Sequence, residues 1–282
     1  MKQFIKLTLL LAFLLAAQTI AAQKYMPMSM SRSLSTKYAY NDAKVRMDID
    51  YPARDTGTDK LGNAIRTWLN GHIKSACNIS DSARISYEGD IQDGNALIRF
   101  YEKAFIDQSV KDFTEYAKLG RDSTNALHYQ VKVSAQAIHE TEALVCYRLS
   151  AYSYLAGAHG AESVYYAIFR KTDGHILTWG DLMKAGSSTA FSRLFADGVV
   201  KQLKAKDLDE AKKTLIIDKS TTADNFPLPL TNPGLRKEGL VGIYQNYEIG
   251  PYAIGHPRVI IPLATLRHLL KPLAWALVQP WE

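Results

Sequence analysis

The chain has 282 residues with 47% hydrophobic and 22% charged residues. These proportions fit one large or two small globular domains and exclude disorder throughout. The formal charge is +6, with basic residues scattered among acidic ones; without a Lys/Arg face interleaved with aromatics, no nucleic-acid partner is expected.

Leu9 to Ala17 is a long apolar run, preceded by Lys2 and Lys6 and followed by the small residues Ala21 and Ala22. This is the three-part pattern of a secretory signal, read here as residues 1–23, so the mature chain is expected in the periplasm or outside the cell. Loss of Lys2 and Lys6 lowers the charge from +6 to +4. No later run approaches the roughly 18 apolar residues needed to cross a bilayer. No cysteine follows the signal closely, so neither a transmembrane segment nor a lipid anchor is expected.

Residues 24–40 are rich in Met and Ser and lack a sustained period, which reads as a flexible tether or a loosely paired edge segment. Val45, Met47 and Ile49 alternate with Arg46, Asp48 and Asp50, giving a half-buried strand from Lys44 to Tyr51 that Pro52 ends. Leu61, Ile65, Trp68, Leu69, Ile73 and Ala76 recur at helical spacing, giving a helix from Asp59 to Cys77. A second helical stretch from Gly94 to Leu119 is long enough to suggest a bend or break near Asp107. The period then switches to two in the run from His128 to Ala137.

Two further strands, Ala143 to Leu155 and Val164 to Lys171, complete an antiparallel meander with short links. The Asp173-Gly174 turn can return the chain as a short strand from Ile176 to Thr178. Asp181 is read as the cap of a short helix, and Ala190 to Leu203 as a longer one. Phe226 to Leu230 and Leu235 to Tyr244 read as strands around the turn Thr231 to Gly234. Arg258 to Ile261 reads as a short strand, and Pro262 to Leu270 starts the closing helix. The expected class is α+β, an antiparallel sheet meander packed against helices. It divides into a strand-helix subdomain at 41–140 and a C-terminal α+β domain at 141–282.

Cys77 and Cys146 are the two cysteines of the chain. In an oxidising compartment they either bond, closing a loop of about 70 residues, or serve as small buried hydrophobes. His159 stands between Gly157 and Gly160 at a strand-to-strand corner, where it is either a proton donor or acceptor or a structural imidazole. In the loop Tyr247 to Gly255, Tyr247 and Tyr252 flank Glu248, which either forms a polar pocket or pins the loop. If corner and loop meet, His159 and Glu248 would make an oriented acid-base pair.

Several chemistries fail on spacing. His139-Glu140 lacks the second histidine of a zinc-protease helix, and the chain carries no Gly-x-Ser-x-Gly elbow, Walker loop or Gly-x-Gly-x-x-Gly. Two cysteines make no structural zinc cluster. The acidic cluster Asp207, Asp209 and Glu210 lies among lysines and reads as a solvated helix face. No cofactor is expected.

Gly157-Ala158-His159-Gly160, then Tyr166 to Gly174 with Leu177-Thr178 and Asp181-Leu182, then Tyr247 to Gly255 before Val259 to Pro262, occur in fixed order over about half the chain. With them the chain resembles the RsiV-like family of exported domains of unknown function, which also occur as accessory domains of some peptidoglycan deacetylases. The family often doubles the glycine before the Ala-His step, where this chain has Ala156-Gly157. The segment from Val45 to Ile73 looks like the smaller domain that often precedes it. The resemblance implies an extracytoplasmic domain that binds a ligand or partner, and it brings no catalytic residues.

Among family roles, an anti-sigma factor needs a cytoplasmic segment and anchor, and the deacetylase role needs an appended catalytic domain. Lysozyme sensing is not favoured, because a +4 chain gains no long-range steering toward a strongly basic partner. The reading is therefore a noncatalytic binding or sensing module for a cell-envelope ligand or protein partner. Its candidate surface is His159, Gly157, Gly160, Tyr247, Glu248 and Tyr252; a cell-envelope hydrolase using His159 and Glu248 is the alternative.

Overall fold

A computed structural model describes residues 25–56, 58–78, 85–119 and 126–279; the signal segment 1–23 lies outside them. Five strands form one sheet in chain order: β1 Met28–Tyr38, β2 Asn41–Tyr51, β3 His128–Glu140, β4 Leu144–Leu155 and β5 Ala161–Arg170. The expected meander β3-β4-β5 is antiparallel throughout. The pairing of β2 with β3 is parallel. Two helices, α1 Lys60–Cys77 and α2 Gly94–Lys118, fill the crossover that such a pairing requires.

The segment read as a tether is the edge strand β1, paired with β2 along its whole length from Met28↔Tyr51 to Tyr38↔Asn41. Its composition hid this, because only Met30 of β1 is buried. Polar contacts supply the rest: Ser31 Oγ donates to Asp48 at 2.6 Å, and Arg32 Nε donates to the buried carboxylate of Glu102 on α2 at 2.9 Å. The latter ties the edge strand to the helix layer.

Asp59 caps α1, accepting from the Leu61 amide. The α2 helix runs unbroken through Asp107, which pairs with Lys103 one turn earlier on the outer face. The break that its length suggested is absent, and all 25 residues form one continuous helix.

Alternation sorts the side chains of the sheet into two cores. Odd-numbered residues such as Val45, Met47, Val133, Tyr147 and Phe169 face α1 and α2. Even-numbered residues of β4 and β5, including Leu144, Cys146, Val164, Tyr166 and Ile168, face the C-terminal layer. That layer holds α3 Trp179–Leu182, α4 Ser188–Gln202 and α5 Leu208–Ala211, then a second antiparallel sheet of β6 Gly234–Arg236, β7 Gly239–Ile243 and β8 Arg258–Ile261, then α6 Leu263–Leu266 and α7 Pro272–Val278.

Strands β4 and β5 thus serve both cores, so a boundary at 140/141 runs through one continuous sheet. The two cysteines do not pair. Cys77 belongs to the helix-side core and Cys146 to the opposite core, where its sulfur accepts from the Leu235 amide at 3.2 Å. Burial pushes the Cys146 thiol up to about 12.

Other local expectations shift for identifiable reasons. Phe226 to Leu230 is not a strand: Pro227 and Pro229 remove two amide donors a ladder would use, and Phe226 is instead buried beside Tyr244. The hairpin turn lies at Lys237-Glu238, between β6 and β7. The return after Gly174 is a single bridge, Phe169↔Ile176. Thr178 caps α3, and Asp181 completes the capping box three residues in.

Candidate functional site

The last strand of the large sheet, β5, would present a free edge, which proteins cover to prevent strand addition. Two segments cover it. Near its end, the Leu177 amide donates to Ile168 O at 2.9 Å. Near its start, the loop after β7 reaches over: Gln245 Oε1 accepts from the Val164 amide at 3.0 Å, Gln245 Nε2 donates to Val164 O at 2.7 Å, and Asn246 Nδ2 donates to Glu162 O at 3.2 Å. One side-chain amide thus mimics a strand partner and fixes the loop against the β4-β5 corner.

This anchoring brings His159 to the two tyrosines. The His159 and Tyr252 rings stack at 4.3 Å and 24°, and the Tyr247 ring lies 6.2 Å from Tyr252. His159 Nδ1 is 2.9 Å from Gly160 O, and Nε2 is 3.3 Å from the Tyr247 hydroxyl. A carbonyl only accepts, so Nδ1 carries the proton and Nε2 of the neutral ring accepts from Tyr247. The three rings, from loops nearly ninety positions apart, form one ledge, with His159 and Tyr247 exposed and Tyr252 half-buried between them and the loop.

Glu248 takes no part in it. Its Oε1 accepts from the Leu230 amide and its Oε2 from the Gln245 amide, both at 2.7 Å. Carboxylate bonds of this kind contribute about 1.5–3 kcal/mol each, and these close the turn and clip the 226–230 segment to it. The imidazole-carboxylate pair of the acid-base reading is not assembled, because both oxygens and both ring nitrogens have other partners.

The glycines divide as well. A Cβ at Gly160 would lie 2.4 Å from the outer end of the Tyr152 ring, so any larger residue there must displace that ring. Gly157 has no such neighbour, since a Cβ would meet nothing nearer than 3.9 Å. The left-handed backbone at the corner belongs to Ala156, with φ 54°, and in the loop to Tyr247, with φ 67°. A side chain in that region costs about 1–2 kcal/mol. Tyr247 is nevertheless 58% exposed, so the strain holds an aromatic ring out toward solvent.

Sequence reading missed a groove of about 680 Å³ bordering the same loop, between the β4-β5 face, α4 and β8, with Tyr166 and His256 in its wall. Among the described residues no group of three or more His, Cys, Asp or Glu side chains is placed to hold a metal ion, and no helix is long and apolar enough to cross a membrane.

Residues 180–264 match the profile of a family described as protein of unknown function (DUF3298). The span takes in α4, the second sheet and the loop with Tyr247 and Tyr252, and it stops short of His159. No curated protein matches. Among solved structures, a DUF3298 family member from Bacteroides fragilis is 18% identical with a TM-score of 0.66, covering 88% of this chain and 96% of that chain. A DUF3298 family protein from Pseudomonas aeruginosa is 16% identical with a TM-score of 0.61, covering 90% of this chain and 99% of that chain. At such identities the likeness is one of fold. It reaches beyond the DUF3298 span into the strand-helix layer.

Proposed function

We propose that the chain is an exported, noncatalytic binding or sensing module for a cell-envelope ligand or protein partner, with His159, Tyr247 and Tyr252 as its recognition surface. The observation that carries the reading is the three-ring ledge, in which Tyr247 is kept outward at the cost of a left-handed backbone. Strained residues persist where surrounding structure holds them and cluster at binding sites. Flat aromatic surfaces suit sugar rings and apolar side chains of a partner. The signal-like segment 1–23 and the resemblance to exported RsiV-like domains support the compartment.

The test is co-sedimentation with isolated cell-envelope material, comparing the wild type with Tyr247→Ala/Tyr252→Ala. The wild type is expected to sediment with the envelope, and the double variant to lose at least about tenfold in affinity, as truncating central aromatic anchors does, with an unchanged melting temperature. Equal retention of both proteins would contradict the reading.

A further inference from the structure

The large sheet treats its two edges differently. On β5, the Leu177 amide, Gln245 and Asn246 occupy outward backbone groups. On β1, no described residue outside β2 bonds to the backbone, and no strand pairs with the outer side. Proteins ordinarily blunt such an edge with short strands, proline, bulges or outward lysines. None of the first three is present: β1 has 11 residues, no proline and a continuous register with β2. Of its two cations, Arg32 is held by Glu102, and Lys37 stands near the end. An edge of this kind is a template for strand addition.

The side chains decide what the edge fits. Even-numbered β1 residues oppose odd-numbered β2 residues and share the helix-side face, whereas the odd-numbered serines share the other. On the helix side, Met28, Leu34 and Tyr38 are exposed. When β1 pairs antiparallel with a second β1 over its whole length, Met28 of each copy stands opposite Tyr38 of the other, a thioether-aromatic contact made twice. Arg32 then stands opposite Leu34, whose exposed surface its aliphatic stem covers. Lys37 stands opposite Ser29, and Ser33 faces itself on the two-fold axis. Neither cation meets another. Centring the pair on Arg32 instead would set two guanidinium groups opposite each other, which is unfavourable.

We propose that β1 is the interface of a two-fold homodimer, in which two five-strand sheets join edge to edge. The occupant is a second copy of the chain, because the edge complements itself in the register that pairs it end to end, as an isologous contact requires. The interface lies at the opposite edge of the sheet from β5 and the ledge, so each dimer carries two ledges at its outer ends. It stands whether or not the ledge binds envelope material.

Sedimentation velocity of the full mature chain, from about 1 μM to about 1 mM, tests it. The wild type is expected to pass from the mass of one chain to that of two with Kd below about 100 μM. Ser33 and Ser35 are exposed and stand opposite Arg46 and Lys44 of β2. Ser33→Glu/Ser35→Glu therefore suits the single chain, whose melting temperature should not fall, while it sets carboxylates against each other across the axis. At low ionic strength this variant is expected to weaken the dimer at least about tenfold, and so is Ser33→Lys/Ser35→Lys. An equimolar mixture of the two variants, in which opposite charges face each other, is expected to recover affinity to within about threefold of the wild type. A single-chain mass for the wild type at every concentration, unchanged affinity in either variant, or a mixture that associates no more tightly than the variants alone would each overturn the proposal.

Discussion

Ala156 and Tyr247 hold left-handed backbone at φ 54° and 67° on the two sides of the ledge, with different consequences. Ala156, unlike Tyr247, has no ring for the conformation to present to solvent. Ala156→Gly is expected to raise stability by about 0.5–1 kcal/mol, the relief of strain less the entropy that glycine adds to the unfolded chain; a lowered denaturation midpoint would refute this.

His72 on α1 bears a second residue-scale consequence. It packs against Trp68 and Tyr165, and burial pushes its imidazole down to about 4. The unfolded chain, titrating near 6.5, binds the proton better. Stability from the neutral ring is therefore complete above about pH 6.5 and is lost as pH falls toward about 4. That loss amounts to about 1–3 kcal/mol. Urea midpoints measured across this window should fall less steeply in His72→Phe than in the wild type; parallel curves would contradict the assignment.

At the scale of elements, β1 depends on contacts that composition does not advertise. The Arg32 side chain is 34% exposed, whereas that of its partner Glu102 is 2% exposed, and the other Glu102 oxygen has no partner among the described residues. Arg32→Ala would leave a buried carboxylate uncompensated and should destabilise the fold by about 2–4 kcal/mol. Glu102→Gln in that background should restore part of the loss in urea unfolding; a change below about 0.5 kcal/mol in Arg32→Ala would show that β1 is not anchored there.

Elements with a strict period could be read from sequence, as β3 and α1 were, because one face of each is apolar and the other is not. Pairing direction could not be read between β2 and β3, since it follows from where the intervening helices return the chain. Nor could β1, whose outward residues are serines and whose inward face holds a single buried methionine. The site followed the same division. His159 and the two tyrosines stood out through their glycine-rich and proline-bearing surroundings, whereas the partners of Glu248 did not, because backbone amides carry no sequence signal. Arg148, Tyr166, Lys201 and Arg258, which line the groove, were invisible as a group, each being ordinary in its own element.

For the whole molecule, the C-terminal layer rests on β4 and β5, which explains why these strands carry continuous buried runs. The loop after β7 covers the β5 edge, and that same attachment sets Tyr247 and Tyr252 against His159. The central claim is that corner and loop act together as one binding face. Hydrogen exchange of the full chain with and without isolated envelope material measures this directly. The account predicts simultaneous protection of residues 156–160 and 245–255 on binding. Protection confined to one of the two segments, or found only at β1 and the helix layer, would contradict it.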